Sequence, residues 1–107
     1  MFEGAWLRNK MDGFGVFKWA VGHRYEGHYR NDKKEGFGVL TRSDGRKYRG
    51  QWLNGEKDGV GEKTTVDGEV IHGKWSKGKQ IDYVSQAEFE SVNRDFLKII
   101  LDKMNMQ

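Results

Sequence analysis

The sequence contains neither cysteine nor proline, and long aliphatic runs are missing as well. Without cysteine there are no disulfides and no thiolate metal sites, which fits a reducing compartment. No apolar stretch approaches the ~20 residues that span a bilayer, and no signal peptide precedes the first patterned segment. We therefore expect a cytoplasmic protein, at the membrane surface or the cytoskeleton as alternatives. Its core must combine aromatic rings, 13% of the chain, with 15 glycines.

Charge and reactive side chains are too evenly spread to indicate chemistry. The net charge is +3, from 19 basic and 16 acidic residues that are intermixed along the chain. Nucleic-acid binding requires a less interrupted basic stripe, so no nucleic-acid partner is predicted. The three histidines fall in different parts of the chain without a second ligand at metal spacing, and the serines have no evident base partner. We predict no metal, no cofactor, no catalytic residue and no enzymatic activity.

One phrase recurs every 23 residues. The motifs FEGAW, YEGHY, YRGQW and IHGKW begin at residues 2, 25, 48 and 71, and GFGVF, GFGVL and GVGEK begin at residues 13, 36 and 59. Self-similarity at such a period indicates one supersecondary unit stacked on itself. The predicted organisation is a repeat domain over residues 1–82 and a separate C-terminal segment over residues 83–107.

Each unit predicts a β-hairpin with large rings opposite glycines. Two alternating segments flank a polar stretch at residues 54–57, which we take as a four-residue loop. That register places Trp52 opposite Gly59 and Tyr48 opposite Lys63, so rings and glycines share one face. The turns between units carry Gly22, Gly45 and Gly68, which should supply positive φ. The fourth unit is expected to stop after its first strand.

The unit is similar to the MORN (membrane occupation and recognition nexus) repeat. The second unit carries nearly every signature position: Tyr25, Gly27, Tyr29, Gly36, Gly38, Asp44 and Gly45. This resemblance covers residues 2 to about 79 and implies a mainly β fold, a single-layer twisted antiparallel meander of about 3.5 hairpin repeats. It also implies a scaffold, a protein-binding platform or a phospholipid-binding module. MORN arrays also occur as regulatory segments of enzymes such as phosphatidylinositol phosphate kinases.

The C-terminal segment predicts one amphipathic helix. Ser85 and Glu88 form a capping box that should start the helix at Gln86. The expected apolar face comprises Phe89, Val92, Phe96, Ile99 and Ile100. We expect this helix to pack on or cap the sheet, with pairing to another copy or a partner's groove as the alternative, and docking on a membrane as a third.

The function predicted from these patterns is a non-catalytic interaction module whose aromatic, glycine-lined sheet holds an amphipathic helix, either its own tail or a partner's. The candidate groove residues are one aromatic column, Phe2, Trp6, Tyr25, Tyr29, Tyr48, Trp52 and Trp75, or the opposite face with Phe14, Phe37 and Val60. Self-association is the other partner prediction. The alternative function is a peripheral module for anionic phospholipids, with Lys33, Lys34, Arg46, Lys47 and Arg49 as candidates.

Overall fold

The chain folds into one antiparallel sheet and one helix. The computed structural model describes the backbone of residues 1–105 and the side chains of residues 1–99 and 102. The strands are β1 (Phe2–Leu7), β2 (Lys10–Lys18), β3 (Arg24–Arg30), β4 (Lys33–Thr41), β5 (Lys47–Leu53), β6 (Glu56–Thr64), β7 (Val70–Ser76) and β8 (Lys79–Tyr83), followed by helix α1 (Gln86–Asn105). The strands pair in chain order as an eight-stranded meander. The predicted fold class is confirmed.

The hairpin turns are tighter than expected. In the third unit Leu53 pairs with Glu56, so the loop is Asn54 and Gly55 alone, with φ of 51° and 85°. Two consecutive positive φ angles characterise a two-residue hairpin turn whose twist matches that of the strands. The four-residue loop predicted for residues 54–57 is therefore wrong.

A bulge restores the predicted register farther along each hairpin. Tyr48 pairs with Lys63 as expected, whereas Trp52 pairs with Lys57 and not with Gly59, because the register shifts between Gly50 and Trp52. Gly59 has a φ of 95° and pairs with Trp75 of the next hairpin. A ring therefore faces a glycine of the preceding unit across the junction between units.

The fourth unit is a complete hairpin. β8 pairs with β7, with Trp75 opposite Gln80 and Ser76 opposite Lys79. The expectation of a single strand is wrong because Lys77 and Gly78 form the same positive-φ turn as in the other units. The sequence of β8 lacks the glycines of β2, β4 and β6, which hid the strand from the repeat pattern.

The core on one face of the sheet is a continuous column of rings. Centroid distances between 5.0 and 5.5 Å link Phe2 to Trp6 and Tyr29, Tyr25 to Tyr29 and Trp52, and Tyr48 to Trp52 and Trp75. All are edge-to-face contacts, each contributing about 0.5–1.5 kcal/mol beyond the area that it buries. The column stabilises neighbouring units against each other, because Tyr25 contacts Trp52 and Tyr48 contacts Trp75. We call this side of the sheet the aromatic face.

Glycines make room for these rings and for the turns. The Tyr25 ring lies over Gly38, and a Cβ on Gly38 would overlap that ring. The Tyr25 hydroxyl then donates a hydrogen bond to the His28 carbonyl at 3.0 Å. In the turns between units, Gly45 has a φ of 97°, and the other two glycines predicted for positive φ also adopt it.

Helix α1 begins where its cap predicts. It starts at Gln86, and the Glu88 amide donates to the Ser85 hydroxyl at 3.0 Å. Such a bond satisfies one of the free amides of the first turn. Within the described part of the chain, no helix combines the length and the apolar character needed to cross a membrane.

The first prediction concerns the glycine beneath a ring. Gly38→Ala should lower the free energy of unfolding by about 2 kcal/mol, because the added methyl group forces the buried Tyr25 ring out of position. Urea denaturation measures this loss. Ser43→Ala, in an exposed turn, is the control and should change stability by less than about 0.5 kcal/mol. Equal losses in both variants would contradict the ring-over-glycine account.

Candidate functional site

Helix α1 contacts the face of the sheet opposite the aromatic face. Phe89 is fully buried, with its ring centroid 5.1 Å from that of His72 and 5.3 Å from the Arg49 guanidinium carbon. Two turns farther on, Phe96 stacks on Phe37 with centroids 5.9 Å apart and an interplanar angle of 1°. The Phe14, Phe37 and Val60 candidates lie on this side, which we call the helix face.

A buried amide fixes the position of the helix on the sheet. Asn93 is 0% exposed, and its Nδ2 donates to the Val60 carbonyl at 3.3 Å and to the Phe89 carbonyl at 3.1 Å. Its Oδ1 accepts from Gln51 Nε2 at 3.4 Å. Gln51 Oε1 in turn accepts the Val60 amide at 3.3 Å, in the bulge of the third hairpin. Since a buried amide is costly unless satisfied, these bonds favour one placement of α1 over sliding alternatives.

The apolar face expected for α1 is only partly turned toward the sheet. Phe89 is buried, and Leu97 packs beside Phe37 and Val39. Val92, Phe96 and Ile99 keep 45%, 38% and 42% of their surface exposed. The predicted Ile100 side chain lies outside the described residues. The contacts therefore follow a four-residue step, Phe89, Asn93 and Leu97, and Phe96 lies beside this line on Phe37.

Beneath Phe89 lies an ionic cluster on three neighbouring strands. Glu62 accepts from Arg49 Nε at 2.6 Å and from Arg49 Nη2 at 3.2 Å, and its other contact is His72 Nε2 at 2.9 Å. Burial raises the pKa of Glu62, but the hydrogen bonds and charges of Arg49 and His72 outweigh burial and hold that pKa below its usual value. The carboxylate thus supports the two groups against which Phe89 packs.

The aromatic face carries the other groove candidates. Tyr25, Tyr29, Tyr48, Trp52 and Trp75 are buried within the ring column, and Phe2 is half-buried at its start. Trp6 belongs to the same column but is 57% exposed on the edge strand β1. Further half-buried side chains pack around the column: Met11, Phe17, Trp19 and Leu40. The structure thus divides the candidate groove residues between two opposite faces.

Lys34 lies among three rings of the aromatic face. Its Nζ is 5.3 Å from the centroids of Trp19 and Tyr25 and 5.5 Å from that of Trp52. Cation–π attraction offsets part of the cost of this burial. Burial lowers the pKa of Lys34. Lys57 repeats the arrangement one unit later, with Nζ 5.1 Å from the Tyr48 centroid.

Beside Lys57 the aromatic face opens into a cavity of about 250 Å³. Leu40 and Tyr48 form its apolar part, and Thr64 and Thr65 also line it. Five basic side chains complete the lining: Arg42, Arg46, Lys47, Lys57 and Lys63. We call this site the basic cavity. Burial lowers the pKa of Lys57, and repulsion from Arg42, Lys63 and Arg46 lowers it further.

The five cations predicted to bind anionic lipid do not form one site. Arg46 and Lys47 line the basic cavity, and Arg46 pairs with Asp44 at 2.8 Å. Lys34 is held by rings, and Arg49 lies under Phe89 on the helix face. Lys33 lines a separate open cavity near Glu35.

The sequence patterns missed two groups of residues. The first group lies on the helix face and comprises Asn93, Gln51 and Glu62, none of which was a candidate. Glu62 nevertheless takes the repeat position that Val16 and Val39 occupy in the preceding units. That departure from the repeat was the available signal. Arg42 and Lys63 of the basic cavity gave no such signal, because charged residues flank every turn.

Comparison with known proteins identifies the repeat. Three consecutive segments, residues 2–24, 25–45 and 48–70, match the family model of the MORN repeat. A search of curated proteins gives no match. Among the described residues, no group of three or more His, Cys, Asp or Glu side chains is arranged to hold a metal ion.

The second prediction concerns the Glu62 cluster. Because its pKa is lower in the folded chain, Glu62 contributes stability that is present above the usual carboxyl range and lost as the pH falls through the folded pKa. Glu62→Gln should therefore reduce stability at pH 7 by roughly 2 kcal/mol and flatten its decline in acid. Urea denaturation between pH 7 and pH 3 tests this. Glu90→Gln, on the exposed side of α1, is the control and should leave the dependence of stability on pH as it is in the wild type. If Glu62→Gln also keeps the wild-type pH dependence, the assignment is refuted.

Proposed function

The chain belongs to the MORN repeat family, and from that premise we propose that it is a non-catalytic interaction module with two working faces. In this proposal α1 is an intramolecular ligand of the helix face, and the aromatic face receives a protein partner. The observation that carries it is that α1 and the ring column lie on opposite sides of the sheet. A partner could therefore bind the aromatic face while α1 stays on the helix face.

Support for the first part comes from the specificity of the helix contacts. Phe89 fills a site bounded by His72 and Arg49, and Asn93 bonds to the backbone of β6. A hydrophobic anchor next to a satisfied buried amide is a combination that fixes register as well as affinity. A helix with a matching four-residue step could compete for the same site.

Support for the second part comes from the composition of the aromatic face. Interfaces are enriched in Trp, Tyr, Phe, Met and Arg, and rings are frequent anchors of binding energy. The rings of Phe17 and Trp19 have centroids 4.6 Å apart and remain half-exposed beside the column. A partner that covers them gains apolar contact without displacing the core rings beneath.

Two other functions receive less support. A peripheral membrane module would need its cations on one surface, whereas Lys34 and Arg49 lie on opposite faces. A regulatory segment of a larger enzyme is compatible with the same contacts and would use them within that protein. Cytoplasmic location, favoured by the lack of cysteine, is part of the proposal.

The third prediction tests the helix face. A chain ending at Val84 should increase the fluorescence of a dye that binds exposed apolar surface. It should also bind a synthetic peptide of residues 85–107 added in solution. Phe89→Ala in that peptide should weaken binding at least tenfold, on the order of the loss expected for a buried ring. Calorimetry gives the affinities.

The matched control is Val92→Ala, which removes a side chain that is 45% exposed. It should alter peptide affinity by no more than about threefold. If the shortened chain shows no new dye binding and does not take up the peptide, the helix face is not a docking site.

The fourth prediction tests the aromatic face. Peptides selected from a display library on the full chain should include binders that change the emission of Trp19. Trp19→Ala should weaken these binders by about tenfold, a typical loss for a ring at an interface. Ile81→Ala, which changes an exposed apolar side chain on β8, is the control. Binders unaffected by Trp19→Ala would place the partner site elsewhere.

A further inference from the structure

The basic cavity concentrates positive charge on the aromatic face. Arg42 and Arg46 come from the turn after β4, and Lys57 and Lys63 come from the two ends of β6. Lys47 of β5 completes the set. The hairpin register brings them together, because Lys63 pairs with Tyr48, whose ring also contacts Lys57.

These cations are poorly compensated by the protein itself. Arg46 pairs with Asp44 at 2.8 Å, and no other ion pair to a cation of the cavity is found in the described part of the chain. The residues that line the cavity include no carboxylate. Repulsion from Arg42, Lys63 and Arg46 is felt at the half-buried Lys57 ammonium. An anion that entered the cavity would relieve this repulsion.

We propose that the basic cavity binds a phosphate group carried by a side chain of the partner protein, an inference that rests on the proposed use of the aromatic face. A phosphate monoester carries nearly two charges and three acceptor oxygens. Arg42 can donate to it with its planar fork, and Lys57 and Lys63 supply point charges. Thr64 and Thr65 also line the cavity, and the Thr65 hydroxyl accepts the Glu69 amide at 3.1 Å.

The cavity suits a phosphate beside an apolar residue. Leu40 lines the cavity and also packs against the ring column, so an apolar side chain next to the phosphate would meet the aromatic face directly. A carboxylate would bring only one charge to a site lined by five cations, two of which, Arg46 and Arg42, share the charge of Asp44.

The surroundings favour a single phosphate over a charged membrane surface. Exposed acids lie in the two turns next to the cavity: Asp44 beside Arg46, and Asp67 and Glu69 shortly after Thr65. An anionic bilayer is a continuous sheet of negative charge, so it would press against these acids when it approached the cavity. A phosphate on a flexible segment is a single compact charge, so it meets fewer of these acids than a bilayer does.

The first arm of the test uses phenyl phosphate, which joins a phosphate monoester to one ring. Titration of the full chain, followed by the amide resonances of Thr64 and Thr65, should show saturable binding. Lys63→Gln and Arg42→Gln should each weaken it at least about fivefold, since each removes one charge-assisted contact. Lys79→Gln, an exposed lysine of β8, is the matched control and should stay within about twofold.

The second arm uses a short peptide with one phosphoserine between leucines and the same peptide with serine. The phosphorylated form should bind at least tenfold more tightly, on the order of the gain expected from charge-assisted hydrogen bonds. This difference in affinity should shrink at high salt, because salt screens the charges. Lys63→Gln should remove most of that difference. Both cavity variants should unfold at or above the temperature of the wild type, since Lys63 and Arg42 form no described ion pair and each of them repels Lys57.

Three outcomes overturn the inference. One is the absence of saturable binding of phenyl phosphate. Another is a loss in Lys79→Gln equal to that in Lys63→Gln. The last is Lys63-dependent binding to vesicles that contain phosphatidylinositol phosphates while the phosphopeptide does not bind, which makes the cavity a lipid site. If the phosphate arms fail while Trp19→Ala still weakens the display-selected peptides, the proposed function stands and only the phosphate is lost.

Discussion

Close contact between large rings and bare backbone is the constraint on which this structure depends. Tyr25 and Tyr48 each lie over glycines of their own hairpin, and each ring then contacts a ring of the next unit. A single-layer sheet has no second layer to bury its side chains, so the rings must lie flat along it and bury one another. Any Cβ beneath them would raise the ring and break the contact to the following unit.

The same constraint separates the two faces of the sheet. Because side chains alternate along a strand, the residues between the rings and glycines point away from the column, and they form an apolar strip with Phe37, Val39 and Val60. That strip has too few side chains to cover itself. Helix α1 covers part of it and lies on the side of the sheet away from the ring column.

The polar residues on each face of the sheet acquire roles from this arrangement. Under α1, Glu62 joins Arg49 and His72 in a cluster that supports Phe89. On the aromatic face, similar charges gather around a cavity with no carboxylate among its lining residues. A basic side chain thus serves folding on the helix face, where Arg49 bonds to Glu62, whereas the basic side chains of the aromatic face line the cavity.

Period and composition alone determined the repeat, the strand alternation, the sharing of one sheet face by rings and glycines, and the cap at Ser85, because each of these is a local pattern within 23 residues. The glycine that each Trp faces was predicted wrongly, since the bulge moves that pairing to the preceding unit. The two-residue turns escaped prediction, since Asn54 takes a positive φ only when the strand twist selects that turn. Only the tertiary structure decided that Asn93 faces the sheet, that β8 completes a fourth hairpin, and that Lys57 and Lys63 share a cavity. These facts depend on the bulge register and on how α1 lies across three strands, and both arise from contacts between residues distant in the chain.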